Sequence, residues 1–466
     1  MANSTLSLTS EEASVLFETN LASRTYILNR EKKLNALNED MLSLLRPVIQ
    51  EWDRAELCHI IIGTGKGRAF CAGGDVERVV ADAADEESRP KALNFFKQEF
   101  EMDHILATLD KPYVAICDGI TMGGGVGLVA HAPFRVATEN TLYAMPETKI
   151  GYAPDVGANH FLSRLDGEIG TFLALTGSPV KGRAVFELGL ATHYVPSRRI
   201  PQLVGQLATI EERNYDKINE TIEEFYEESE TLQPHNSISG DIRLALDSAF
   251  RYRTVEEIIT SLQNIAERSP DEVGDWAKQT LSELTMRSPT SLKVSLEAIR
   301  RGKDMNLREV LQMELNIATA FCSGASPDFH TGVTAVIKEK LKTRPAWSPN
   351  TVEDVELEMV LKQFFDPSSQ YVRRAPQLSL PRADAEPKNF MQFALPTETE
   401  IEKILRGQHE TSGDLAYDLS ALIKKFNSLR RNKRGVEEKL REVTSRHCDI
   451  VENDTGYKEL RWKTRR

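Results

Sequence analysis

Two glycine-rich turns in this chain could hold the charge that develops on a reacting carbonyl. FCAGGDV (residues 70–76) and DGITMGGGVGL (residues 118–128) each follow an apolar run and precede helix-compatible sequence. Glycine lets the main chain approach a ligand with no Cβ in the way, and a helix start leaves N–H groups without intrahelical acceptors. Two such turns can aim two N–H donors at one oxygen, and loss of one such donor typically costs about 100- to 1000-fold in rate. A third stretch, MPETKIGYAPD (residues 145–155), carries Glu147 and Asp155 on a loop, because Gly151 and Pro154 break any helix. Beside an oxyanion site, Glu147 can act as general base on water or as a nucleophile giving a mixed anhydride, and the residues leave both open. Asp155 can bind a substrate hydroxyl or manage its proton.

The elements that must position these groups are also visible. HIII (residues 59–62) and PYVAIC (residues 112–117) read as strands that end at the two turns. Asp75 reads as the cap of the helix after the first turn, and Asp155 as a second helix-capping candidate. From composition alone, Glu99 in FKQEF is a solvated carboxylate on the helical stretch 92–109. Residues 125–130 (GVGLVA) also fit a loose dinucleotide fingerprint with Glu147 about 20 residues on, but that pattern leaves FCAGGDV unexplained. GTGKG (residues 63–67) lacks the spacing of a phosphate loop.

These motifs resemble the crotonase (enoyl-CoA hydratase/isomerase) superfamily and, within it, the 3-hydroxyisobutyryl-CoA hydrolases. The likeness begins at RTYILNREKKLNALNEDM (residues 24–41) and runs through both turns and MPETKIGYAPDVG. It continues in LALTG (173–177), GLATHYV (189–195), SPTSLK (288–293), DFHTGVTAV (328–336) and PAW (345–347), roughly three quarters of the chain. It implies an α/β crotonase (ClpP/crotonase-like) spiral core of ββα units with a C-terminal helical region and a basic helical extension. It implies oxyanion N–H groups at Gly74 and Gly124, and substrate-site carboxylates at Glu99, Glu147 and Asp155. The position that carries a second catalytic glutamate in the hydratases is Gly127 here, which favours thioester hydrolysis over addition of water to a double bond. Thr331 departs from the family's DFHEGV. The implied reaction is hydrolysis of 3-hydroxyisobutyryl-CoA in valine breakdown, with CoA as part of the substrate and with no metal or redox cofactor. Lys32, Lys33 and Lys149 are candidates for its phosphates, although surface lysines are usually only solvated.

On this plan residues 1–200 form the core, 201–347 a helical region, 348–390 a linker rich in Pro and Ser with one short helix at 352–365, and 391–466 the extension. Within the helical region, the acidic run at 211–230 reads as an amphipathic helix whose charge carries no message. Five cysteines without CxxC spacing indicate neither a disulfide framework nor a zinc site, and His160 and His193 read as structural. No apolar run reaches the ~18 residues of a membrane helix. The start MANSTLSLTSEEASVLF is acidic where a transit peptide is basic, whereas the resemblance implies the mitochondrial matrix. In the extension, Thr397 and Glu400 form a capping-box pattern.

Residues 424–466 hold 14 Lys/Arg against 7 Asp/Glu, a net +7 in a chain whose total is −12. Such a basic tail can contact phosphate, as in RNA, or dock on the acidic body of the same protein. FALPTETEI, RRNKRG and the closing LRWK resemble the extension of fungal mitochondrial members that occur in the small subunit of the mitochondrial ribosome. That resemblance implies contacts with ribosomal RNA and ribosomal proteins.

Overall fold

The computed structural model describes residues 13–227, 238–412, 416–452, 456 and 458–463. The N-terminal residues 1–12, the acidic residues 228–230 and the closing residues 464–466 lie outside the described residues. Between residues 15 and 194 the chain lays down two sheets. The larger has the order β1 (Val15–Asn20), β2 (Ser23–Leu28), β3 (Ile60–Gly65), β5 (Tyr113–Cys117), β7 (Phe134–Ala137) and β10 (His193–Tyr194). Only β1 and β2 pair antiparallel in it. The smaller runs β4 (Ala69–Cys71), β6 (Ile120–Met122), β8 (Leu142–Ala144) and β9 (Val180–Lys181), with β4, β6 and β8 parallel. Successive pairs, β3 and β4, β5 and β6, β7 and β8, send one strand to each sheet, so the chain climbs as the expected crotonase-type spiral.

Strand alternation explains the layers on the large sheet. Ile61 and Ala115 join a core with α1 (Glu39–Arg54), α2 (Val76–Ala84), α3 (Arg89–Ala107) and α4 (Gly124–Ala130). Ile60, Ile62, Val114 and Ile116 join a second core with Leu203, Leu207, Ile218 and Ile222, from the helices Ile200–Ala208 and Tyr215–Glu223. In α1, Asn38 caps by accepting from the Met41 N–H at 3.0 Å, and Leu42, Leu45, Ile49 and Trp52 recur at helical spacing toward the first core. Helix α3 packs against α1, α2, α4 and the helix Leu307–Cys322, which buries it on nearly all sides. The solvated-helix expectation for Glu99 is therefore overturned.

The segment 348–390 lies along the body. Arg382 pairs with Asp53 and Asp110, the Ser379 N–H donates to Glu101 Oε1 at 2.6 Å, and Val355, Val360, Phe364 and Val372 are buried. Its helix is shorter than expected, Leu357–Val360 running into a π turn over Leu361–Phe365.

The extension differs from the all-helical expectation. After the helices Glu398–Leu405, Leu419–Leu429 and Val436–His447 it ends in a hairpin of β11 (Cys448–Glu452) and β12 (Lys458–Trp462), with Trp462 stacked on His447 at 4.9 Å. Thr397 accepts from the Glu400 N–H, but the Glu400 side chain turns to Arg430 at 2.5 Å, so the capping box is half formed. Much of the basic cluster is spent internally. Arg431 pairs with Asp216 and Glu220, and the buried Lys433 pairs with Glu223, all on the helix Tyr215–Glu223. The acidity of that helix does carry a message, because it receives the tail. The Arg431 pairs are half exposed and contribute little, about 0–1 kcal/mol; the buried Lys433 contact is the stronger constraint.

A second anchor is largely interior. Arg446 meets Glu398 at 2.5 Å, Arg243 meets Glu398 at 3.1 Å, and Lys439 meets Asp166 at 2.6 Å. Burial opposes the charge on Glu398, yet His447, Arg243 and Arg446 together hold its carboxyl well below the usual range. Arg446→Ala leaves that carboxylate buried beside one cation fewer, which should cost about 3–5 kcal/mol and lower the urea midpoint. Because the folded value lies below the unfolded ~4.3, the wild-type contribution is complete above that pH and lost as pH falls through the folded value. The deficit of the variant should therefore shrink on acidification.

Candidate active site

Three neighbouring parallel strands of the small sheet, β4, β6 and β8, end side by side and deliver Gly74, Gly124 and Glu147. Leu37 donates to the Gly73 carbonyl at 2.7 Å and accepts from the Asp75 N–H at 2.9 Å, which leaves the Gly74 N–H facing the other way. Gly124 opens α4, so its N–H has no acceptor within the helix. Among the described residues neither N–H meets a protein acceptor. A Cβ built on Gly124 would stand 3.3 Å from the Gly74 nitrogen, and one built on Gly123 would stand 2.9 Å from Glu147 Oε1. The two donors and Glu147 thus share one small space.

Opposite them runs α3, which presents two acids to two glycines of α4. A Cβ on Gly124 would fall 2.1 Å from Glu99 Oε1, and one on Gly127 would fall 2.7 Å from Asp103 Oδ2 and 2.6 Å from the Val156 Cβ. Any side chain at 124 would collide with Glu99. Position 127 likewise has no room for one, since Asp103 and Val156 fill the space. Asp103 was missed by sequence reasoning; its place four residues after Glu99 on one helix face is the signal that could have found it.

Glu99, Glu147 and Asp155 are only 2%, 6% and 6% exposed. Tyr152 donates from its hydroxyl to Asp155 Oδ2 at 3.0 Å, while Glu99 Oε1, Glu147 Oε2 and both oxygens of Asp103 have no hydrogen-bond partner. Burial, and then the nearby Asp155, pushes the carboxyls of Glu99 and Glu147 well above the usual range. Burial raises Asp155 as well, with the Tyr152 hydroxyl pulling it back to about 7. Asp103 is raised by burial and then by Glu99, Asp155 and Glu314. Two backbone donors beside buried acids that hold their protons to higher pH than ordinary carboxyls form a site suited to attack on a carbonyl.

The structure thus brings Gly74, Gly124, Glu99, Glu147 and Asp155 together. Glu147 opens a short 3-10 turn, Glu147–Ile150, rather than lying on open loop. Asp75 sits at the N-cap position of α2 without capping, because its side chain pairs with Arg30 at 3.3 Å. Asp155 leaves the N-cap position to Gly157. The dinucleotide alternative fails, since Glu147 faces Gly123 inside the same site. Lys32 and Lys33 are exposed, whereas Lys149 is half-buried, with its pKa lowered by burial and by Arg287. Thr331 stands near Asp328, which accepts from the Ser288 hydroxyl at 2.6 Å and the Ser348 N–H at 2.9 Å. His193 is buried between Thr192 and Asn219, a structural role. Among the described residues no group of three His, Cys, Asp or Glu could hold a metal ion, and no helix is long and apolar enough to cross a membrane.

The sequence profile described as enoyl-CoA hydratase/isomerase matches residues 23–365. The small ribosomal subunit protein mS47 of Neurospora crassa is 38% identical over 97% of this chain and 88% of its own length. The mitochondrial 3-hydroxyisobutyryl-CoA hydrolase of Homo sapiens is 40% identical over 75% of this chain and 88% of its own length. Among solved structures, a carnitinyl-CoA dehydratase from Mycobacterium thermoresistibile superposes with a TM-score of 0.67 at 30% identity, covering 79% of this chain and 99% of that one.

The electrostatics generate a direct test. Asp155→Asn removes the charge that helps to raise Glu99 and Glu147. Both should then ionise at lower pH, and the infrared band of protonated carboxyls should disappear at lower pH than in the wild type. An unchanged titration would mean that the three groups do not share a site.

Proposed function

The chain belongs to the enoyl-CoA hydratase/isomerase family, and from that premise we propose that it hydrolyses 3-hydroxyisobutyryl-CoA to 3-hydroxyisobutyrate and CoA. The observation that carries this reading is the pair of N–H groups at Gly74 and Gly124 beside the ionisable Glu147, with no space at Gly127 for a second glutamate facing it. The thioester carbonyl oxygen lies between the two N–H groups. Water, relieved of a proton by Glu147, adds to the carbonyl carbon, and the oxygen takes the negative charge in front of donors already in position. As the carbonyl re-forms, the C–S bond breaks and the CoA sulfur leaves with the proton held by the acids. In the alternative course Glu147 itself adds and water opens the resulting anhydride. Asp155, paired with Tyr152, receives the substrate hydroxyl. The human relative's mitochondrial name and the family resemblance fit the mitochondrial matrix as the compartment.

A second role is favoured by the extension. The Neurospora ribosomal relative aligns over nearly the whole chain, whereas the human hydrolase aligns over three quarters of it. We infer that the protein also sits in the small subunit of the mitochondrial ribosome. Among the described residues of the tail, the exposed cations outside the internal ion pairs, and so available for RNA, are Lys424, Arg434, Lys458 and Lys463. A purely structural ribosomal protein on this fold is the competing reading.

Glu147→Gln should lose CoA release by at least about 100-fold in a colorimetric thiol assay, with unchanged unfolding. Since Glu147 must be ionised to act as base, and burial and then Asp155 hold its carboxyl well above the usual range, kcat/KM should fall on acidification at a pH well above that of an ordinary carboxylate. Ordinary carboxylates would sustain activity to pH ~4–5. A single turnover in ¹⁸O-water places label in Glu147 only if the anhydride forms. No turnover from folded wild type would leave the structural reading. Replacing these four cations with Gln should weaken sedimentation with the small subunit and flatten its salt dependence; unchanged sedimentation would remove them as the anchor.

A further inference from the structure

The turn that carries Asp155 is held from an element far away in the chain. Glu314 lies in the middle of the helix Leu307–Cys322, with 0% exposure. Its carboxylate accepts from the Gly157 N–H at 2.7 Å, the Asn159 N–H at 3.1 Å and the Asn159 Nδ2 at 2.9 Å. Asn159 Nδ2 also donates to the Pro154 carbonyl at 3.0 Å, and the Ala158 N–H donates to the Asp155 carbonyl at 2.8 Å, so the turn closes on itself around Asp155.

Within that turn, Val156 has φ +56° and Gly157 φ +81°. A left-handed conformation is unfavourable for a β-branched residue and persists only where surrounding contacts impose it. Val156 is fully buried against Gly127, so its side chain cannot relax outward. Among the described ion pairs no Lys or Arg reaches Glu314. Burial pushes its carboxyl up to about 8, with the Asn159 and Gly157 N–H groups opposing. An apolar side chain would pack more cheaply there, but only a group with two acceptor oxygens satisfies three N–H donors at once. The helix is fixed in turn, because Gln312 accepts from the Leu378 N–H at 3.0 Å and donates to the Pro376 carbonyl at 3.1 Å, gripping the 348–390 segment.

We propose that Glu314 is the positioning residue of this site: by binding the N–H groups of Gly157 and Asn159 it imposes the strained turn that aims the Asp155 carboxyl at Glu99 and Glu147. The assignment rests on the hydrolase reading for its kinetic expression and on geometry alone for its structural one.

The test is a double-mutant cycle on full-length protein with 3-hydroxyisobutyryl-CoA. Glu314→Gln keeps the volume and halves the acceptor oxygens. A misplaced reacting group typically costs on the order of 100-fold, so kcat should fall about 10- to 100-fold while KM changes less than about threefold. In the Asp155→Asn background the same change should cost nothing further, because Glu314 acts through Asp155. Full additivity, or wild-type kcat in Glu314→Gln, overturns the proposal. Should that variant not fold, Asn159→Ala removes the Nδ2 donor to Glu314 and to the Pro154 carbonyl while keeping both backbone N–H donors, and should give a smaller loss of kcat with the same non-additivity, full additivity there overturning the proposal. If the wild type shows no turnover, the hydrolase reading falls separately, and amide exchange over residues 155–159 decides. Faster exchange there in Glu314→Gln supports the assignment, and unchanged exchange overturns it.

Discussion

Everything in the candidate site depends on carboxyl groups packed against bare backbone. Glu99 Oε1 stands where a side chain at 124 would begin, and Asp103 does the same at 127, so α3 approaches α4 more closely than side chains would allow. That approach buries the space around Gly74, Gly124 and Glu147, and in a buried space a carboxyl holds its proton to higher pH while an N–H dipole acts with less screening. The small sheet makes the arrangement possible, because its parallel strands β4, β6 and β8 lie about 4.8 Å apart and end at the same level. A donor, a donor and an acid therefore follow one another in a row.

The extension obeys a different rule. Apolar side chains such as Ile401, Phe426 and Leu440 join the main core, and ionic pairs fix the register, Lys433 to Glu223, Lys439 to Asp166 and Glu398 to Arg243. Buried pairs of this kind add little net stability over an apolar contact, but they penalise any misplacement severely. The extension is thus fixed in register against the body. Its RRNKR cluster rests on the helix Tyr215–Glu223, which covers the face of the large sheet opposite α3 and α4. A partner bound to the outer side of the extension need not approach the site.

How much of this the sequence discloses follows from the range of each interaction. Gly74, Gly124 and Glu147 are legible because each sits a few residues after its own strand, and a local strand–turn pattern suffices. The burial of Glu99 is not, since it needs helices from four distant parts of the chain. The capping role expected of Asp75 fails for the same reason: Arg30, 45 positions earlier, draws its side chain away. The acidic face of the helix Tyr215–Glu223 looks uninformative until its partner Lys433, 210 residues on, is in place. Glu314 offers no local signal, because its meaning lies in N–H groups it meets across 155–157 positions.

The unpartnered acids also weigh on the choice between a working enzyme and a scaffold. A buried polar group without a partner costs about 1–3 kcal/mol, against a net stability of about 5–15 kcal/mol for a typical folded protein. Glu99, Asp103 and Glu147 each leave at least one such atom, and the left-handed Val156 adds strain. A protein serving only as a ribosomal support has no physical use for these costs, since apolar side chains of similar size would fill the space and hold the sheet more firmly. A site that binds a thioester does have a use for them. On the proposed hydrolase reading, the substrate would bring its carbonyl oxygen to the Gly74 and Gly124 N–H groups and its hydroxyl to the acids, satisfying in the complex groups that lack a protein partner.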